Sequence, residues 1–324
     1  MAKAGTPLAS RKDSRKTVRY SLGASTVILE CSVVVVNFNS GADLCKCLAS
    51  LGKVFENRVW EAVVVDNASS DDSLDLLDPN PMVRVQRNTS NVGFAAAVNQ
   101  ALALISSQNV LLINPDCEVR QGAVARLEQE LVEHPECALV GPCVIDPDGT
   151  VQGSARGDPD MLTGLFGRST LLMRLFPSSV LAKRNVRTSV ANNAEGFEVD
   201  WVSGACMLAR RESLMSIDGF DSDFFMYWED ADLCRRLRGL GHTIRYVPRA
   251  RVMHRVGGSS ATVPELAIRA FHESAYLYYV KHVARARFHP ARWFARLTLR
   301  LRMLWRLRAA KALPKPSQHQ DADQ

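Results

Sequence analysis

Side chains able to do chemistry gather in a few short segments of this sequence. Asn37-Phe38-Asn39, Asp66-Asn67-Ala68-Ser69-Ser70-Asp71 and Asn114-Pro115-Asp116 each close a short apolar run. An acid in such a place can accept hydrogen bonds from a base edge or from ribose hydroxyls. An acid on the next strand over can coordinate a divalent cation that bridges phosphates. One such cluster is as readily a helix cap or a turn. Three at the ends of successive runs point to a shared rim.

Between them, Asn88 to Asn99 holds Asn91 and Gly93 just before an Ala-rich stretch. Gly93 would open a helix whose first turn can approach a ligand closely, since glycine has no side chain. The plainer alternative is an Asn-capped helix. The second half adds Trp228-Glu229-Asp230-Ala231-Asp232, three acids in four residues, preceded by Asp221, Asp223, Phe224, Phe225 and Tyr227. Acids at a helix start are favoured by the helix dipole alone. Aromatic surroundings can also raise a carboxyl's pKa into the range of a useful base. His254 ends a further apolar run and precedes Arg255-Val256-Gly257-Gly258-Ser259-Ser260, a turn able to close over a pyrophosphate.

The elements that must position these groups alternate. Residues 31–36 form a β-branched run of the kind buried on both faces of a sheet. Strands are also expected over 62–65, 83–85, 110–113, 138–145, 199–208 and 243–247. Helices are expected after 43 (Leu44, Leu48, Leu51) and over 73–77, 92–105, 123–131, 210–217, 229–240 and 264–283. Asp146-Pro147-Asp148-Gly149 reads as a turn. Residues 154–198 are irregular around an apolar island at 161–176. The alternation implies an α/β fold with a mostly parallel central sheet and flanking helices, which binds ligand beyond the carboxyl ends of its strands.

Charge is divided unevenly. Residues 1–29 carry a net +5 and residues 281–311 hold ten Lys/Arg and no acid, so the body between them is acidic although the whole chain is +6. Basic flanks on an acidic body suit contact with something anionic. Eight cysteines occur without a CxxC pair, which favours buried thiols in a reducing compartment over a disulfide framework. No apolar run reaches the ~18 residues needed to cross a bilayer, and the start lacks a signal-peptide core. The expected location is cytoplasmic, with a peripheral place on the cytoplasmic face of the membrane. Trp293, Leu297, Leu301 and Leu304 would share one face of a basic amphipathic helix, which could lie on an anionic membrane surface through 285–311 or pack on the catalytic body.

In order and spacing, the motifs VVVVNFN, VVVDNASSDDS, NTSNVGFAAAVN, LLINPDCEV, WVSGACMLARR, FFMYWEDADLCRRL and MHRVGGSS resemble the family 2 glycosyltransferases of the GT-A fold, in their rhamnosyltransferase-like subgroup. The resemblance runs from about Cys31 to Ser260. It implies a nucleotide-sugar-binding domain over 27–262, with a basic disordered extension (1–26), a C-terminal helical basic segment (263–313) and a disordered tail (314–324). It implies an inverting, metal-dependent transferase. Phe38 and Asn39 would lie near the nucleobase, with Asp66 hydrogen-bonding it and Asn91 and Gly93 lining the nucleotide pocket. Asn114 stands where the family has the first acid of its metal pair, so Asp116 would be the main carboxylate ligand of Mg2+ or Mn2+, joined by His254. Asp230 matches the catalytic base and Glu229 is its rival. Trp201, Ser203 and Gly204 would border the acceptor. The implied partners are a nucleotide-sugar donor, with dTDP-rhamnose first and UDP-hexose or UDP-galactofuranose after it, and a glycan or lipid-linked glycan acceptor. Another metal-dependent nucleotide-binding α/β enzyme would share the strand-end acids but leaves the Trp228–Asp232 segment and His254 without a place. A nucleic-acid-binding module rests only on the basic C-terminal segment and lacks stacking platforms, so no nucleic-acid partner is expected.

Overall fold

The structure, a computed structural model, describes residues 20–21, 26–27, 31–55, 58–158, 195–255 and 263–312. The apolar island at 161–176, the Gly257-Gly258 turn and the tail after 313 lie outside the described residues, as does most of 1–26. Tyr20–Ser21 pairs antiparallel with Thr26–Val27, apart from the main sheet.

The main sheet has nine strands. In chain order they are β1 (Cys31–Asn37), β2 (Trp60–Asp66), β3 (Val83–Arg87), β4 (Asn109–Ile113), β5 (Cys117–Val119), β6 (Cys137–Ile145), β8 (Phe197–Glu198), β10 (Cys206–Arg210) and β11 (Thr243–His254). β7 (Ala155–Arg156) and β9 (Trp201–Val202) form a separate antiparallel pair. The order across the sheet is β8-β11-β6-β10-β4-β1-β2-β3, with β5 paired to β11. β1 pairs in parallel with β2 and β4, β2 with β3, and β6 with β11. β10 runs antiparallel to both its neighbours.

Alternation along β1 shows why its sequence is apolar throughout. Val34 and Val36 enter one core, while Cys31, Val33 and Val35 enter the other. Each fully buried side chain of this size stabilises the fold by about 1.5–3 kcal/mol. α2 (Phe94–Leu102) and α5 (Glu229–Gly239) cover the first core; α1 (Asp43–Val54) and α3 (Ala123–Glu133) cover the second. A short α4 (Arg211–Met215) follows β10. α6 (Pro264–Tyr278) continues as a π-helical turn (Tyr279–Val283), and α7 (Pro290–Ala312) returns along it, with Lys311 3.3 Å from Glu265. All eight cysteines are free thiols. Among the described residues, no helix is long and apolar enough to cross a membrane.

Three expected elements differ. Residues 73–77 make a run of turns, because Asp78-Pro79 disfavours helix just beyond it. The strand expected over 199–208 is two strands, β9 and β10, broken at Ser203-Gly204-Ala205. The strand expected over 243–247 continues to His254: Pro248 has no N–H for the ladder, and the register slips between Val247 and Arg251 before pairing resumes.

Candidate active site

The carboxyl ends of β1, β2 and β4 lie side by side, as the register Asn37↔Asp66 requires. The first two ends are laced together. Asn37 Nδ2 donates to Asp66 Oδ1 (2.8 Å) and Ser73 Oγ (2.9 Å), and Ser69 Oγ donates to Asp66 Oδ1 (2.6 Å). Asn39, at φ 50°, accepts the Ser70 N–H at 2.8 Å. Asp66 is 4% exposed, and the Ser69 N–H at 3.2 Å is a further donor to it. Its first task is therefore to hold the loop after β2, with little accepting capacity left over. Phe38 is half-buried beside it.

Asn91 Oδ1 accepts the Gly93 N–H at 2.9 Å in a turn just before α2, whose N-cap is Gly93 itself. Gly93 sits at φ 87°, and a Cβ there would lie 2.5 Å from the Phe225 carbonyl oxygen. The missing side chain leaves room for the protein's own Phe225. Phe94 N–H donates to that same carbonyl at 2.7 Å. Asn99 clamps Phe220 from both sides, donating to its carbonyl (2.7 Å) and accepting its N–H (2.9 Å). The start of α2 is thus a brace for the loop that leads to the acids of α5.

That loop is held in an unfavourable shape. Tyr227 and Trp228 both have φ 69°. Left-handed backbone at a bulky residue costs on the order of 1–3 kcal/mol. α6 supplies the restraint. Phe271 packs on Tyr227 and Trp228, Tyr278 packs on Trp228, and Ser274 Oγ donates to the Met226 carbonyl at 2.9 Å. The result presents Glu229 and Asp230 at the first turn of α5. Asp230 Oδ2 accepts the Gly204 N–H at 2.9 Å, and Oδ1 accepts the Ala231 N–H at 2.8 Å. Burial raises the Asp230 pKa, and the two N–H groups and the Arg156 charge pull against that rise. Burial, followed by the Asp230 charge, pushes Glu229 well above the usual carboxylate range, and its Oε2 has no hydrogen-bond partner. Asp232, fully buried, behaves oppositely. Burial pushes its carboxyl up, but His282, Lys281 and Arg236 outweigh that and hold it at about 2.

The break in the predicted strand explains how these acids reach the β4 end. Because β10 is antiparallel to β4, Gly204-Ala205 stands at the carboxyl end of β4. The Ala205 carbonyl accepts the Asn114 N–H at 2.9 Å, one residue from the Gly204 N–H that binds Asp230. Trp201 donates its indole N–H to the Gly157 carbonyl (3.0 Å), lies under the Arg156 guanidinium and packs against Phe224 and Ala231.

Asp116 and His254 come together from β4's end and β11's end, with Asp116 Oδ1 3.2 Å from His254 Nε2. Asp116 Oδ1 is buried without a hydrogen-bond partner. Adjacent ligand atoms on an octahedral ion with bonds of about 2.1 Å stand about 3 Å apart, so the pair fits a divalent cation. Cys117 Sγ is close to both, but burial raises its pKa well above that of an ordinary thiol and it donates to the Ala205 carbonyl, so it does not suit a hard ion. Arg255 fastens this corner, reaching Asp43 (3.0 Å) and Glu118 (2.7 Å) while its N–H binds the Asp116 carbonyl. Sequence reasoning missed Gln152, Arg156 and Arg255, whose roles come from contacts distant along the chain. The charge of the last two was the only signal.

The family sequence model described as Glycosyl transferase family 2 matches residues 32–217. The chain belongs to glycosyl transferase family 2. It is 31% identical over 284 residues to an N-acetylglucosaminyl-diphospho-decaprenol L-rhamnosyltransferase of Mycobacterium tuberculosis, covering 83% of this chain and 90% of the relative. It is 35% identical over 100 residues to the rhamnosyltransferase WbbL of Escherichia coli, covering 31% of this chain and 36% of that one. Among solved structures it shares its fold with the mannosyltransferase PcManGT of Pyrobaculum calidifontis in complex with GDP-Man and Mn2+ (TM-score 0.53, 18% identity, 89% of this chain and 76% of that chain). This glycosyltransferase thus has the mixed α/β sheet and flanking helices of the GT-A type, and its relatives include rhamnosyltransferases.

Proposed function

We propose that this enzyme transfers a sugar, L-rhamnose from dTDP-rhamnose before other donors, to a hydroxyl of a lipid-linked glycan in cell-surface polysaccharide synthesis, with inversion at the anomeric carbon. The observation that carries the reading is the continuity of one rim: Asp116 and His254 at one side, Asn114 and Ala205 between, and Gly204 holding Asp230 at the other. The Mycobacterium tuberculosis relative, whose name gives a diphospho-decaprenol acceptor and L-rhamnose, supports the choice of sugar and acceptor. Asp116 and His254 would hold Mg2+ or Mn2+, which supplies positive charge against the leaving diphosphate. Asp230, oriented by two N–H groups and raised in pKa, takes the proton of the acceptor hydroxyl as it attacks from the face opposite the diphosphate. Phe38, Asn39, Asp66 and Asn91 border the nucleotide, and Trp201 and Gly204 the acceptor. The test is transfer by intact protein and by Asp116→Ala, with and without excess chelator. Both the substitution and the chelator should abolish transfer while thermal unfolding still shows a folded protein. Full activity in either condition overturns the metal role.

The same reading places the enzyme at the membrane surface that carries its acceptor. α7 has two apolar faces. Ala295, Leu299 and Leu307 are buried, so part of the helix packs on the body. Trp293 (74% exposed), Leu297, Leu301, Leu304 and Trp305 point the other way, with Phe288 (87% exposed) before them. Residues 281–311 hold ten Lys/Arg and no acid; Lys281 is bound to Asp221 and Asp232 and Lys311 to Glu265, which leaves eight for this side of the molecule. An anionic bilayer matches both features: the rings and leucines enter the interface and the cations meet lipid phosphates, at about 1 kcal/mol per basic residue near the surface.

A further inference from the structure

We infer that Gln152 is a positioning residue that fixes the tautomer of His254, so that Nε2 turns a lone pair rather than a proton toward Asp116. This rests on the metal-dependent reading above and extends it to a residue outside the ligand pair. The sequence marks the region only as a turn. In the structure, the chain leaves β6 at Ile145 and reverses through Asp146 to Gly149, with Gly149 at φ 87° and the Asp146 N–H bonded to the Thr150 carbonyl at 2.8 Å. The Gln152 N–H then binds the Val144 carbonyl at 2.9 Å. The reversal sets Gln152 beside His254, the last residue of β11, whose neighbour Met253 is in register with Ile145.

The Gln152 amide is oriented without ambiguity by its neighbours. Its Nε2 lies 2.8 Å from Asp146 Oδ1 and 2.9 Å from the His254 carbonyl oxygen. Both partners only accept, so both amide hydrogens are used, and the flipped amide would set an oxygen against two oxygens. Oε1 therefore faces His254 Nδ1, at 3.0 Å. An oxygen there can only accept, so Nδ1 carries the hydrogen. In a neutral imidazole the other nitrogen is then bare. That bare Nε2 faces Asp116 Oδ1 at 3.2 Å, an oxygen with no hydrogen-bond partner. Two lone pairs confront each other, an arrangement that a cation between them relieves. Outer partners of this kind fix the ring and the tautomer of a ligating histidine.

The experiment uses the full chain in three forms: wild type, Gln152→Leu and Gln152→Met. Gln152→Met is close to Gln152 in size and offers Nδ1 no amide oxygen. Two readouts are independent of activity: the dissociation constant for Mn2+ alone, by paramagnetic resonance, and the His254 tautomer by nitrogen-15 NMR of the metal-free protein at about pH 8.5, above the ordinary imidazole range. Wild type should carry its proton on Nδ1. Gln152→Leu and Gln152→Met should each lose about tenfold or more in Mn2+ affinity and gain the Nε2-protonated form. A wild-type His254 protonated on Nε2, or Gln152→Leu with unchanged affinity and tautomer, overturns the inference. If wild type binds no Mn2+ through Asp116, the metal reading fails while the tautomer still decides the role of Gln152. If Gln152→Leu does not fold, the wild-type tautomer and Gln152→Met decide it.

Discussion

Glu229 and Asp230 are neighbours in the chain with different surroundings. Asp230 is partly exposed and has an N–H on each oxygen, which fixes its direction and keeps its carboxylate accessible. Glu229 is buried, and its own burial together with the charge of Asp230 raises its pKa well above the usual carboxylate range. A base must reach the acceptor hydroxyl and be ionised there, which favours Asp230. Asp230→Asn should lower transfer by about 10²-fold or more, the scale of a general base, with donor binding retained. Measured rates that show Glu229→Gln inactive and Asp230→Asn active would exchange the two roles. Gly93 works at the same scale but for structure. Gly93→Ala puts a Cβ against the Phe225 backbone at positive φ. It should destabilise the protein by about 1–3 kcal/mol and loosen the loop leading to Glu229, visible as a lowered unfolding midpoint.

α5 is fixed to the C-terminal helices by Asp232. This fully buried carboxylate meets Arg236 (2.7 Å), Lys281 (2.7 Å) and His282 (2.6 Å), the last two from the π-helical turn. Lys281 also bonds Asp221. The third acid of the cluster is thus an anchor. Replacing it removes the buried negative charge that Arg236 and Lys281 share, so Asp232→Asn should cost about 3–5 kcal/mol near neutral pH. The sign of the pH dependence follows from the lowered pKa. The Asp232 contribution, about 2 kcal/mol for a fall from 3.8 to about 2, is complete above the unfolded value and is lost as pH drops toward 2. In urea unfolding, the gap between wild type and Asp232→Asn should therefore narrow between pH 4 and pH 2. A gap that stays constant with pH would assign the loss to packing alone.

At the scale of the whole molecule, the C-terminal helices brace the body and also leave apolar groups open. α6 restrains the strained Tyr227-Trp228 step with one face, and α7 leaves Trp293, Leu297, Leu301, Leu304 and Trp305 open on another. Intact protein should float with anionic vesicles, and less so in high salt. Trp293→Glu with Leu301→Glu should abolish flotation while leaving the packed residues Ala295, Leu299 and Leu307 in place. Removal of the whole helix would be a poorer probe, because it also strips the cover from α6. Undiminished flotation of the double variant, or none by the intact protein, would remove the membrane role.

The order of strands and helices was legible in the sequence because burial on both faces demands unbroken β-branched runs, as at Val33 to Val36, and because helix periodicity is local. The acids at strand ends were legible for the same reason, since a parallel sheet must gather them at one rim. The direction of β10 was not. A strand's residues look alike whichever way it runs, and only pairing with β4 and β6 sets Gly204 beside Asp230 and Ala205 beside Asn114. The reach of β11 past Pro248 was hidden too, since local chemistry argues for a stop there and the parallel partner β6 overrides it. Gln152 and Gly93 show the same limit at single residues. The sequence determined which groups this protein could use. Tertiary structure decided which of them face one another, because hydrogen bonds such as Gln152 to His254 join residues about a hundred positions apart.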